Sequence, residues 1–158
     1  MHSLAKNKSC VLKYPMPDNF PCRSHCPINY ALESFGDKWT LLIIRDLMFK
    51  AKQSYGEFLA SNEKISTNIL ADRLKRLEEM GIVVKGVNET NRTKMVYSLT
   101  AKGRDLLPLM LEITKWSGKY DAQTNAPKPF LDRLENDRLR LIEDIQAGWE
   151  NTVKPGST

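Results

Sequence analysis

The chain has 158 residues, 41% of them hydrophobic, and a formal net charge of +5. This length and composition predict one domain with a buried core plus appended helices, and they exclude disorder of the whole chain. No apolar run reaches the roughly 20 residues that span a bilayer, and residues 1–20 lack the apolar centre of a secretory signal. We therefore expect a cytoplasmic protein, and the positive charge favours an anionic partner such as nucleic acid.

The N-terminal part of the chain predicts an irregular arm followed by three helices. Residues 1–25 contain prolines and turn formers without a clear period. Pro27 suits the first position of a helix, where its missing N–H would have no partner. Asp37 can cap a second helix that runs to about Phe49, and a third, short helix is predicted over residues 53–60.

Apolar residues at three- and four-residue steps predict a fourth helix, with Ser66 as its cap and Gly81 at its end. Leu70, Leu74 and Leu77 share one side of this helix and should face the core. The opposite side is polar and basic, and it is free to meet a partner.

Two short strands are predicted after this helix, over residues 82–87 and 95–99, because β-branched and alternating apolar residues occur there. The turn-rich segment between them closes a hairpin. A helix beside a basic hairpin is the layout of a winged helix-turn-helix, in which the helix enters the major groove of DNA and the hairpin lies along the neighbouring backbone or groove.

Two longer amphipathic helices are predicted after the hairpin. Thr100 caps the first, over residues 101–120, and the second covers about 128–149 before a frayed tail. Their apolar stripes exceed what a small core needs, so we expect a homodimer with the last helix in its interface. The predicted fold class is α+β, mainly α, with a winged helix-turn-helix domain at residues 26–120 and a C-terminal helical extension at 121–158.

Four segments of the sequence resemble one known family. In chain order they read CPINYALESFGDKWTLLIIRDL, YGEF, ISTNILADRLKRLEEMGIV and YSLTAKGRDLLPLM. Over roughly residues 26–117 they are similar to the HxlR-type winged helix-turn-helix transcriptional regulators of bacteria and archaea. The resemblance implies a homodimer that binds an inverted-repeat operator, and it implies that Cys26 matches a cysteine that senses electrophiles or oxidants in some members. Two features depart from the family: the wing tip reads NETNRT instead of being rich in proline, and the helix at 128–149 lies outside the common core.

The free side of the fourth helix and the hairpin carry the candidate DNA contacts. Asn68 is the best candidate for reading a base, because its amide can pair bidentately with adenine. Basic side chains are expected at phosphates, which position a protein without reading sequence. The phosphate candidates are Lys75, Arg76, Arg92 and Lys94, and the full set also includes Lys38, Ser66, Thr67, Asn68, Asp72 and Arg73. A solvated charged face is the alternative for the whole set, and a structural ion pair is an equal alternative for Arg73.

The three cysteines all lie in the first 26 residues. Arg23, His25 and the nearby helix start could lower the pKa of the Cys26 thiol and favour the thiolate. Cys26 is therefore a candidate redox sensor with Cys22 as its nearest partner, and an inert thiol is the alternative. A metal site is not expected, because a structural zinc needs four ligands and the chain has too few further histidines and cysteines to supply a second cluster.

The tryptophans and the search for enzyme motifs are the remaining features of the sequence that bear on function. Trp39 is expected in the core, whereas Trp116 and Trp149 could line an effector cavity, although their spacing favours packing or dimer contacts. No enzyme signature is present, since the chain has neither a glycine-rich phosphate loop nor a nucleophile elbow.

The predicted function is that of a non-enzymatic homodimer that binds double-stranded DNA and represses transcription. No cofactor and no membrane association are expected, and the effector would be a small molecule or an electrophile. A winged-helix module for protein–protein assembly is the alternative. Steep salt dependence of binding to duplex DNA would distinguish the two, because neutralising phosphates releases counterions.

Overall fold

The computed structural model describes residue 24, residues 26–89 and 91–150, and the backbone of residues 155 and 156. The predicted arm, apart from residue 24, lies outside the described residues, and so do Cys22, Arg23 and His25. The described elements are helices α1 (Pro27–Phe35), α2 (Thr40–Phe49), α3 (Tyr55–Leu59) and α4 (Thr67–Glu79), strands β1 (Val83–Asn88) and β2 (Met95–Leu99), helices α5 (Ala101–Arg104), α6 (Leu107–Tyr120), α7 (Lys128–Asn136) and α8 (Arg138–Glu150), and strand β3 (Pro155–Gly156).

A hairpin of antiparallel strands follows α4, as predicted. Val83 of β1 lies opposite Leu99 of β2, and Val87 lies opposite Met95. The two residues of β3 pair with the other edge of β1, so β1 is the middle strand of the sheet. The prediction of a frayed tail was wrong at residues 155–156, because their backbone groups find partners on the free edge of β1.

The core is formed where α2, α4 and the hairpin meet. Leu70, Leu74 and Leu77 are almost completely buried there, which confirms the side of α4 predicted from their spacing. Ile44 of α2 and Phe58 of α3 are buried in the same cluster. The mainly helical α+β fold class is thereby confirmed.

The segment Thr100-Ala-Lys-Gly103 fixes the hairpin against the end of α4. The Thr100 hydroxyl donates to the carbonyl of Gly81 at 2.6 Å, and the Lys102 ammonium donates to the carbonyl of Met80 at 2.8 Å. Gly103 packs so closely on the carbonyl oxygen of Ile82 that any side chain at position 103 would collide with it. These contacts set the position of the hairpin relative to α4.

The two long helices predicted at the C-terminal end are each divided. α5 stops before α6 because Pro108 has no N–H to donate to the carbonyl of Arg104 and its ring would clash with that carbonyl. The helix predicted at 128–149 breaks at Asp137, whose backbone is non-helical and whose carbonyl accepts from the amide of Leu141 at 3.0 Å. A short polar residue at a helix start explains the second break.

The last two helices fold back onto the rest of the chain. Leu134 of α7, together with Leu141 and Trp149 of α8, is buried in the common core. The indole Nε1 of Trp149 donates to the carbonyl of Met48 at 3.1 Å. These apolar side chains are therefore used within one chain, whereas the expectation was that they would pack across a dimer.

The apolar stripe predicted on residues 101–120 separates into two faces of α6. Met110 is buried together with Leu107 and Leu111, whereas Leu109, Ile113 and Trp116 are exposed. No helix within the described ranges has the length and apolar character needed to cross a bilayer.

Candidate DNA-binding surface

The start of α4 is held by two contacts. The Ser66 hydroxyl accepts from the amide of Ile69 at 3.4 Å and caps the helix. The phenol of Tyr55, at the start of α3, donates to the carbonyl of Thr67 at 2.6 Å. α3 itself begins with a reciprocal cap between Ser54 and Glu57. These bonds fix α4 relative to the helix before it, which is what a helix that reads DNA requires.

The exposed side of α4 bears Thr67, Asn68, Asp72 and Lys75, and it lies opposite the buried leucines. Ala71 lies among them and adds no bulk. Among the described residues, the ion pair of Lys75 is a long one with Glu79, at 3.8 Å. The side chains named from the sequence as DNA contacts on this helix therefore share one accessible surface, except for the two arginines.

Arg73 forms a structural ion pair, as the alternative for this residue anticipated. Its Nε lies 3.2 Å from Asp37 Oδ1, and its Nη1 lies 3.1 Å from a carboxylate oxygen of Asp72. The Asp37 carboxylate also caps the turn into α2, accepting from the amides of Trp39 at 2.8 Å and Thr40 at 3.1 Å. Burial raises the pKa of Asp37, but the hydrogen bonds from Thr40 and Trp39 and the charge of Arg73 outweigh burial and lower it.

Arg76 lies between α4 and α1. Its guanidinium donates to the carbonyl of Glu33, near the end of α1, and its side chain is half-buried. Here the side chain ties the two helices together. From the sequence, Arg76 was expected at a phosphate, and its contact with Glu33 could not be predicted because the two residues are 43 positions apart.

The tip of the hairpin is built from asparagine turns. The side-chain oxygen of Asn88 accepts from the amide of Asn91 at 3.1 Å, and the Asn91 side chain accepts from the amide of Thr93 at 3.1 Å. Such bonds shape a turn without proline. Arg92 and Lys94 are exposed beside it, and the charge of Lys94 contributes to lowering the pKa of Glu57, after hydrogen bonds from Gln53 and Ser54.

Three further lysines, Lys38, Lys64 and Lys85, are exposed. Lys38 is exposed in the turn before α2, and its ammonium lies 4.9 Å from the ring centre of the half-buried Trp39, which packs against the core as expected. Lys64, directly before α4, and Lys85, on β1, are also exposed. Neither of these two was named from the sequence. The signal for Lys64 was a cation in the turn that leads into the candidate helix, whereas Lys85 lies opposite Tyr97, with its ammonium 5.8 Å from the ring centre, and had no such signal.

Cys26 is the residue before α1, and its thiol is free and exposed. Its amide lies 3.4 Å from the hydroxyl of Ser24. The other thiols and the basic residues expected to act on Cys26 fall outside the described residues. Within the described ranges, no group of three or more metal-ligating side chains comes together.

Comparisons with known proteins agree with this geometry. A model of the family described as HxlR-like helix-turn-helix matches residues 34–125. The protein named Uncharacterized HTH-type transcriptional regulator sll1512, from Synechocystis, is 34% identical over 90 residues, which are 57% of this chain and 66% of that protein. The chain thus spans just under two thirds of that relative's length.

Solved structures share the fold. One described as PA1607, a putative transcription factor, superposes with a TM-score of 0.59 at 36% identity, covering 66% of this chain and 72% of that one. Another, described as the redox regulator HypR in its oxidized form, has a TM-score of 0.53 at 31% identity, covering 60% of this chain and 96% of that one. Because the family model matches more than half of the residues and the hairpin follows α4 as in a winged helix, the chain belongs to the HxlR-like helix-turn-helix family.

Proposed function

We propose that the protein is a transcriptional regulator that binds double-stranded DNA as a homodimer. The observation that carries the proposal is the accessible side of α4, with Asn68 and Lys75 exposed on a helix whose other side is anchored in the core. α4 enters the major groove, and the β1–β2 hairpin lies along the neighbouring backbone. The names of the relatives as transcriptional regulators support this function.

The proposed contacts divide into base reading and phosphate binding. Asn68 reads a base through its side-chain amide. The phosphates are bound by exposed basic side chains on and beside α4, namely Lys38, Lys64, Lys75, Arg92 and Lys94, with Ser66 and Thr67 at the helix start. Arg73 and Arg76 position the helix through Asp37 and Glu33 and do not touch DNA.

The proposed dimer interface is the apolar surface shared by α1 and α6. Ile28 and Trp116 are 70% and 66% exposed, which is unusual for side chains of this size. Ile28 and Leu32 of α1 adjoin Leu109 and Ile113 of α6 in one shallow depression. A two-fold axis through this surface would cover all of these residues at once. The interface expected from the sequence was the last helix, but its side chains Leu134, Leu141 and Trp149 are already buried within the chain.

We further propose repression as the mode of regulation and Cys26 as its thiol switch. Cys26 is exposed directly before α1, two positions from Ile28, so a modified thiol would stand at the edge of the proposed interface. Added bulk or a disulfide there would rotate one α4 relative to the other and alter the half-site spacing. The similarity to a redox regulator, HypR, supports this step.

Selection of bound duplexes from a random DNA pool tests the proposed function. The expected result is an inverted repeat with half-site centres about 34–36 Å apart, one helical turn, or a multiple of it. Affinity for the selected duplex should fall steeply with salt. Recovery of no common sequence, together with salt-independent affinity, would contradict the proposal and favour the assembly module.

A further inference from the structure

A cavity of about 670 Å³ lies between the end of α2 and the C-terminal helices α7 and α8. Its walls are largely apolar and include Met48, Phe49, Phe130, Ile145 and Trp149. Sites for small organic ligands have volumes of about 300–1,000 Å³ and similar apolar linings. The volume of this cavity and its apolar lining therefore fall within the range seen in sites for small organic ligands. All of α7 and α8 lie beyond the segment that matches the family model, so the walls that these two helices supply are not inherited from it.

The aromatic walls of the cavity are held in place by specific contacts. The indole of Trp149 is fixed by its hydrogen bond to the carbonyl of Met48. The rings of Phe49 and Phe130 meet edge to face, with centroids 6.1 Å apart and planes at 75°. Rings held in this way offer faces and edges for a planar aromatic ligand without a large ordering cost.

The rim of the cavity carries a partly exposed cation that makes a long ion pair within the protein. Lys50 is 44% exposed, and its ammonium lies 3.6 Å from the buried carboxylate of Asp46. That carboxylate already has closer cations, Arg45 at 2.7 Å and Lys52 at 3.1 Å. Lys50 can therefore pair with an anionic group of a ligand while Asp46 stays compensated. Asp144 also lines the cavity, and its carboxylate forms an ion pair with the guanidinium of Arg133, with 2.5 Å between Arg133 Nη2 and Asp144 Oδ2.

Two unusual backbone features occur among the residues that line the cavity. Ala51, at the rim, has a positive φ of 50°, a conformation that costs energy for any residue with a side chain and that occurs often at ligand sites. Gly148 lies within α8, where glycine destabilises a helix relative to alanine. A Cβ at position 148 would meet no atom within 4 Å, so packing does not require glycine there. The missing side chain instead leaves the cavity unfilled.

We propose that this cavity binds a small aromatic molecule that carries one carboxylate, with its ring against the Phe49–Phe130 pair and Trp149 and its carboxylate at Lys50. The apolar aromatic walls and the exposed cation of Lys50 favour this class over a neutral or polyanionic ligand, because Arg45, which also lines the cavity, is already paired with Asp46 and Glu63.

Calorimetric titration of the full-length protein tests the proposal, with 1-naphthoate as the probe and neutral 1-naphthamide as its matched control. We expect 1-naphthoate to bind the wild type more tightly than 1-naphthamide. Lys50→Gln should weaken naphthoate binding up to about fivefold, the range of a solvent-accessible ion pair, and should leave naphthamide binding unchanged.

Cavity-filling variants locate the site. Gly148→Leu should abolish naphthoate binding, whereas Gly148→Ala should retain it and raise the melting temperature. Ala126→Leu, at another lining position, fills the cavity independently if Gly148→Leu does not fold. Undiminished binding by a folded filled variant, no binding of naphthoate to the wild type, or equal affinity for the two probes would overturn the assignment. These titrations contain no DNA, so their outcome is separate from that of the proposed DNA binding.

Discussion

Arg73 Nε lies 3.2 Å from Asp37 Oδ1, and this ion pair joins α4 to the turn that begins α2. The same carboxylate oxygen accepts the amides of Trp39 and Thr40, so a single side chain caps one helix and orients the other. The position of the proposed reading helix therefore depends on Asp37 as well as on the buried leucines.

The first prediction concerns the stability of this junction. Asp37→Ala should lower the free energy of unfolding at pH 7 by about 1–2 kcal/mol, the usual effect of losing a helix cap. Asp37→Asn keeps a capping oxygen but loses the charge, so it should cost less, about 0.5–1 kcal/mol for a partly exposed ion pair. Urea denaturation measures both, and Asp132→Asn, in a surface pair with Lys128, is the matched control.

The same junction predicts a pH dependence. The pKa of Asp37 is lowered from 3.8 on folding, so its ionised form stabilises the folded state above the unfolded pKa. That contribution is lost as the pH falls through the folded pKa. The difference between wild type and Asp37→Asn should therefore be full at pH 7 and shrink progressively below the unfolded pKa of 3.8. A difference that stays constant down to the folded pKa would exclude the ion pair as its source.

The second prediction concerns phosphate contacts. Lys75→Ala and Arg92→Ala should each weaken binding to all duplexes and reduce the magnitude of the salt slope by about one unit. Lys128→Ala removes the same charge from α7, at a side chain that is 83% exposed against 76% for Lys75. Fluorescence anisotropy at several salt concentrations makes the comparison. Equal slopes for Lys75→Ala and Lys128→Ala would mean that only net charge matters.

The third prediction concerns assembly. Ile113→Glu places a charge in the proposed α1–α6 interface and should convert the dimer to monomers. Leu139→Glu makes the same change at an exposed position on α8 and should leave the dimer intact. Light scattering across a concentration series distinguishes the two. Dissociation by Leu139→Glu but not by Ile113→Glu would return the interface to the C-terminal helices.

The fourth prediction concerns the thiol. Diamide takes two electrons and two protons from a pair of thiols and leaves a disulfide, and we expect this reaction at Cys26 to lower DNA affinity until a thiol reductant is added. Cys26→Ser should bind DNA as the reduced wild type does and should ignore diamide. Mass spectrometry identifies the partner thiol, Cys22 or Cys26 of the second subunit. An undiminished response of Cys26→Ser would show that the thiol of Cys26 is not the sensor.

The sequence predicted the parts of the fold that depend on local periodicity. The spacing of Leu70, Leu74 and Leu77 defined the buried side of α4, and alternation defined the hairpin. The break before Pro108 was also readable, since proline interrupts a helix wherever it falls beyond the first turn, but the apolar period across residues 101–120 concealed it. The break at Asp137 had only a weak local signal.

Contacts between distant residues could not be predicted in the same way. The partner of Arg76 is a backbone carbonyl in α1, which leaves no trace in the sequence around either residue. The separation of the α6 apolar residues into buried and exposed faces depends on where α7 packs. The sequence offered a cavity at Trp149 as one alternative, but the other walls of that cavity became visible only once α8 was placed against α2.

The central claim is that α4 reads DNA through Asn68, and titration of single-base-pair variants of the selected operator tests it most directly. Wild type and Asn68→Ala are compared on each duplex. Asn68→Ala should lose about 1–3 kcal/mol on the preferred operator and should lose discrimination at one A·T pair in each half-site, while the salt slope stays unchanged. If Asn68→Ala binds the operator as tightly as wild type and discriminates equally at every position, α4 does not read DNA through this residue.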